Sequence, residues 1–151
     1  MESLTEALDQ LGHAVRLSGE AAVKTLDSAI TDVLAFRDPA CISPMLLALN
    51  DEAEFDEGMF SLIHAAESFD DDIYVRAFLR AIPNLQATSP RWASIILMRV
   101  LNNQATRDLL TRMVRQESTE VKVAITWLCE KINEKNPTFL NKTLPILLAA
   151  K

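Results

Sequence analysis

The chain has 151 residues, 49% of them apolar, with 21 acidic and 15 basic side chains and a formal charge of −6. That length suits one domain with an ordinary core, and no apolar run approaches the roughly 18 residues needed to span a bilayer. Only three glycines occur, Gly12, Gly19 and Gly58, and GxGxxG, GxxxxGK(S/T) and GxSxG are all missing, which argues against phosphate-cradling loops, nucleophile elbows and β-rich folds.

Apolar residues recur at spacings of three and four from the start. Residues 2–17 carry Leu4, Leu8, Leu11 and Val15, and residues 20–36 carry Val23, Leu26, Ile30, Val33 and Leu34. The opening MESLTEALDQ is acidic and polar, unlike a secretory signal, so a cytoplasmic location is expected. Ser43-Pro44 predicts a capped start for a helix over 39–49, a serine cap followed by proline at the first helical position. Next come helices over 55–67 and 72–82, the second ending at Pro83. Ser89-Pro90 opens 90–102, whose Trp92, Ile95, Ile96, Leu97, Met98, Val100 and Leu101 leave little wet face and mark a central, buried helix. Helices over 104–115, 119–134 (capped by Ser118, with Val121, Ile125, Leu128 and Ile132 inward) and 137–149 (after Asn136-Pro137) complete the chain. The expectation is a single all-α domain over 1–151. Its nine or so short helices would pack as antiparallel pairs, either as a HEAT- or armadillo-like α-solenoid or as an irregular helical bundle.

Charge is unevenly distributed. Residues 51–72 hold Asp51, Glu52, Glu54, Asp56, Glu57, Glu67, Asp70, Asp71 and Asp72 with no Lys or Arg, a charge of −9, while the remainder sums to +3. Such a patch repels nucleic acid and anionic membrane and attracts a basic partner. On the helix over 55–67, Phe55, Met59, Leu62, Ile63 and Ala66 form a stripe for the core. Asp56, Glu57, Phe60, His64 and Glu67 lie opposite. Phe60 either packs under a neighbouring helix or serves as an aromatic anchor ringed by charge; Tyr74 is a second candidate anchor.

Chemical alternatives are weaker. Asp70 to Asp72 lack the spaced loop, central glycine and terminal Glu of an EF-hand. They serve more simply as a cap, from Asp70 or Asp71, and as acids at the positive end of the helix over 72–82. His64 and Glu67 have ligand-pair spacing, but the other histidine, His13, is distant. No metal or other cofactor is expected. Cys41 and Cys129 have apolar flanks and read as inert core thiols. Arg76 and Arg80 lie one turn apart and could line a small basic stripe, whereas Arg107, Asp108 and Arg112 suit local ion pairs. Neither an enzyme nor a nucleic-acid binder is expected, and a carboxylate hydrolase working with a divalent cation ranks below a domain that binds another protein.

The segments FSLIHAAESFDDDIYVRAFLRAIPNL and SPRWASIILMRVLNN resemble an all-helical immunity-protein family of bacterial polymorphic-toxin and contact-dependent growth inhibition systems. The IHAAE run, the SPRW helix start and the RVLNN end with Asn102 and Asn103 carry the resemblance. It covers about 45 residues, and the first 50 and last 35 add nothing to it. The resemblance implies a small cytoplasmic antidote, monomeric by expectation, that binds one cognate toxin domain, often a nuclease, and blocks its active site or substrate channel. Charge complementarity with a basic nuclease fits independently, since it speeds encounter. The expected contact surface is Asp51, Glu52, Glu54, Asp56, Glu57, Phe60, His64, Glu67, Asp70, Asp71, Asp72 and Tyr74. The competing reading is a helical-repeat adaptor that binds a peptide or subunit in an apolar groove.

Overall fold

The computed structural model describes residues 2–151. Among these residues there are nine α-helices, two short 3-10 turns and no strand. The chain divides into two compact units, one ending at Asp70 and the other spanning Asp71–Lys151.

The first unit holds α1 (Leu4–Val15), α2 (Ala22–Leu34), α3 (Ile42–Leu47) and α4 (Asp56–Glu67). α1 begins where Ser3, in extended backbone, accepts the Glu6 N–H at 3.1 Å; Ser-x-x-Glu is the sequence signature of that cap. α1 packs on α2, α2 on α4, and α3 on α4. The approach of α2 to α4 is close: a Cβ on Gly58 would lie 2.8 Å from the Leu26 Cδ2. Between α1 and α2 the chain turns at Gly19, whose φ of +92° suits a residue without a side chain.

One helix over 39–49 was expected from Ser43-Pro44. The chain instead forms a 3-10 turn, Pro39–Cys41, then α3. Asp38 supplies the cap, accepting the Ala40 N–H at 2.9 Å, so Ser43 and Pro44 sit inside the first turn of α3. Proline costs little there, because first-turn N–H groups have no intrahelical acceptor.

The second unit holds α5 (Asp71–Thr88), α6 (Pro90–Leu101), α7 (Gln104–Arg115), α8 (Thr119–Lys135) and, after a 3-10 turn at Pro137–Phe139, α9 (Leu140–Ala149). α5 touches α6, α7 and α8; α6 touches α7 and α8; α9 touches α7 and α8. α6 is central as expected. Trp92, Ile96, Leu97 and Leu101 are fully buried, with the Arg91 guanidinium 4.8 Å from the Trp92 ring centroid. The inward set on α8, Val121, Ile125, Leu128 and Ile132, is buried as read from its spacing.

α5 does not stop at Pro83; it runs five residues further. An interior proline forfeits the bond to the carbonyl four residues back, which here belongs to Leu79. Ile82 and Leu85, on either side of it, are fully buried. Burying two large aliphatic side chains contributes about 3–6 kcal/mol, enough to offset the roughly 3 kcal/mol a helical proline costs.

Helix starts also divide by backbone. Ser118, at ψ 160°, accepts the Val121 N–H at 3.3 Å, and Asn103, at ψ 123°, accepts that of Thr106 at 3.1 Å. Ser89 (ψ 60°) and Asn136 (ψ 78°) hold the cap positions expected of them, yet neither side chain bonds to its first turn. Their ψ lies far from the extended values that aim an oxygen at those N–H groups. Both thiols are buried and free. Burial pushes the Cys129 thiol up to about 12, with Glu130 adding to the rise, and burial is also the main cause that raises Cys41.

Candidate functional site

The acidic run is split by the fold. Asp51, Glu52, Glu54, Asp56, Glu57, Glu67 and Asp70 belong to the first unit; Asp71 and Asp72 open the second. Dividing the charge at the same point changes its meaning. The first unit has 14 acids and three bases, a charge of −11, and the second has seven acids and 12 bases, a charge of +5. The +3 of the residues outside 51–72 is therefore not an even basic background: residues 1–50 are themselves at −4. Averaging them with a basic second half had hidden this.

The approach to α4 is a shaped loop. Asn50 accepts the Glu52 N–H at 2.9 Å, a side-chain turn typical of Asn. Its own N–H donates to the Met59 Sδ at 3.3 Å, tying the loop to α4. Glu54 reaches across to the α1–α2 turn, where its Oε2 accepts the Gly19 N–H at 3.0 Å. Glu54 thus holds a loop as well as a charge. Asp56 and Glu57 are exposed in the first turn of α4, where negative charge is favoured by the helix dipole.

On α4, Met59, Leu62, Ile63 and Ala66 are buried as the projection required. Phe55 departs from it. It sits at the N-cap position, outside the helical repeat, and is 39% exposed. Gly58 and Ala65 are buried instead. Phe60 is half-buried, with its ring centroid 6.4 Å from that of exposed His64 and tilted by 45°. Glu67 is half-buried at the helix end, and Asp70 is exposed. In the second unit, Asp71 and Asp72 are exposed in the first turn of α5; Asp71 is helical and is not the cap. Tyr74 is 3% exposed, on the same helical face as buried Phe78, so it belongs to the core and offers no anchor. No group of three or more His, Cys, Asp or Glu that could hold a metal ion occurs among the described residues. None of their helices is long and apolar enough to cross a membrane.

Of the expected basic features, Arg80 lies 3.7 Å from Glu117 and Arg76 is exposed. Arg107 donates to the Leu101 carbonyl at 2.7 Å, closing the end of α6 rather than pairing with Asp108 as expected. A charged donor at a helix C-terminus meets an otherwise orphaned acceptor.

Reading charge missed the exposed apolar residues. Leu17, beyond the end of α1, is 50% exposed; on α9, Leu140, Leu144 and Leu148 are 47–56% exposed, and Val123 of α8 is 64% exposed. The α9 set recurs every four residues, opposite buried Ile146, so a helical projection could have found it.

The residues that carried the family resemblance are mainly builders of the fold. In IHAAE, Ile63, Ala65 and Ala66 are buried. In RVLNN, Asn103 caps α7 and the Asn102 Oδ1 accepts the Lys142 ammonium of α9 at 2.6 Å. A family model described as Immunity protein 30 matches residues 13–110, from the end of α1 into α7. The match reaches well before the segment from which the resemblance was read. Neither a curated protein nor a solved structure matches the chain. With nearly two thirds of its length under the family model, the chain belongs to the Immunity protein 30 family.

Proposed function

We propose that this chain is an antidote that binds a cognate toxin domain and neutralises it without catalysis, in the cytoplasm and as a monomer. Family membership supports the antidote role. The −11 charge of the first unit is the observation that supports a basic partner, a domain of the nuclease type whose phosphate-binding groove the acids would occupy. Glu52, Asp56, Glu57 and Asp70, all exposed, are the foremost contacts, with half-buried Phe60 beside them as the apolar element and Asp71 and Asp72 as further charge. The setting would be a polymorphic-toxin or contact-dependent growth inhibition system. Within the second unit, α5, α7 and α9 contact in series, as do α6 and α8, an alternation that supports a HEAT- or armadillo-like stack.

The test is protection. Cells exposed to the toxin domain encoded by the adjoining gene should survive when this chain is expressed. The association rate should fall steeply with salt, because exposed charges are screened over about 10 Å at 0.1 M. Unprotected cells, or an on-rate indifferent to salt, would count against the reading. The adaptor reading has its own support in the apolar strip of α9. It calls for binding that resists salt and is lost on changing Leu144→Lys.

A further inference from the structure

The first unit has an apolar groove as well as acids. Between α1 and α2 lies an open groove of about 330 Å³. Its floor is made of small residues, Ala14 and Ala29, 5% and 8% exposed. Thr25 and Ser28 line the α2 side, Asp32 adds an acid, and Leu17 stands at the end of α1. Leu17 is half-exposed, at 50%. Its backbone is held in place. Its N–H donates to the Ala14 carbonyl at 3.2 Å, and the turn it enters is tied down by the Gly19–Glu54 bond of 3.0 Å. A large apolar side chain at a groove on a polar surface, carried on a tethered backbone, has the make-up of a binding anchor, since the backbone beneath it need not be ordered on contact.

We infer that this groove receives an apolar side chain of the toxin domain that is flanked on the toxin by Lys or Arg. The inference rests on the proposed antidote role. Charge complementarity commits the groove to this occupant: it belongs to a unit with a charge of −11, and Asp32 lies in its wall. The longer apolar strip of α9 lies in a unit of +5, which disfavours a basic surface. The arrangement divides the labour of binding. Acids draw the partner in and set the on-rate, and the groove slows its departure.

Two variants separate these contributions. Leu17→Ser removes the apolar wall, and Thr25→Trp fills the groove from an exposed position. Circular dichroism should show both folded. The probe is the purified toxin domain encoded by the adjoining gene, with its active site disabled. Each variant should weaken binding about tenfold or more, mostly through a faster off-rate, and equally at low and high salt. If both bind like the unaltered chain while reversal of the exposed acids still weakens binding, the groove assignment is wrong and the acidic reading stands. If the unaltered chain neither binds the domain nor protects cells, the antidote reading itself fails.

Discussion

The two units are built from the same material and carry opposite charge. Each is a set of short helices around an aliphatic core, yet one sits at −11 and the other at +5. The family match spans all of α2 to α6 and so draws on both. What differs is what each leaves on its surface. The first unit exposes acids on α4 and its approach, with a half-exposed leucine at a small-residue groove. The second exposes cations and the leucine strip of α9. Similar cores permit this because folding energy comes mainly from buried apolar area, and exposed charges alter it by only tenths of a kcal/mol. Surface charge is then free to serve encounter.

The largest expected effects fall on the cores and test whether each unit stands on its own. Trp92→Ala should cost about 3–5 kcal/mol, and Leu62→Ala about 2–5 kcal/mol, since both side chains are fully buried. Hydrogen exchange should show protection lost first in α5, α6 and α8 for the one and in α3 and α4 for the other. Uniform loss throughout the chain would erase the distinction between the units.

Next in size is the contrast of charge. Glu52→Lys, Glu57→Lys and Asp70→Lys together should weaken toxin binding about a hundredfold at low salt, with most of the loss recovered at high salt. The mirror change in the second unit, Arg76→Glu, Arg112→Glu and Lys135→Glu, should leave affinity within about twofold. Equal losses from the two triples would mean that net charge matters and the acidic unit does not.

A smaller effect concerns pH. Cys129 is held protonated up to about 12, above its ordinary value of 9.0. A raised thiol pKa favours the folded state below the unfolded value. That contribution is lost as pH climbs from about 9 toward 12. Denaturant titrations of the chain and of Cys129→Ala should therefore differ by a constant amount up to pH 8 and converge above pH 9. Smallest are the caps: Ser3→Ala in the first unit and Ser118→Ala in the second should each cost about 1 kcal/mol, read as a shift in the urea midpoint.

Much of the fold was legible because it is local. The spacing of Leu26, Ile30 and Val33, or of Ile125, Leu128 and Ile132, fixes a helix and its buried face without reference to distant residues. Asp56, Glu57 and Phe60 could be placed on one side of α4 for the same reason. The misplaced features are those that local rules weigh wrongly. Pro83 stays inside α5 because Ile82 and Leu85 are held by other helices. Ser43 yields its cap to Asp38, Phe55 falls outside the repeat of α4, and Tyr74 faces the core.

The sequence by itself determined that the chain is all-helical, that its acids gather around residues 51–72, and that its segments resemble an immunity family. Periodicity, composition and motif are properties of neighbouring residues. Only the tertiary structure decided that the acidic run is cut at Asp70, that Glu54 ties the α1–α2 turn, and that Leu17 stands at the edge of a groove floored by Ala14 and Ala29. These depend on which helices meet, and that is settled by packing between residues such as Gly58 and Leu26, 32 positions apart in the chain.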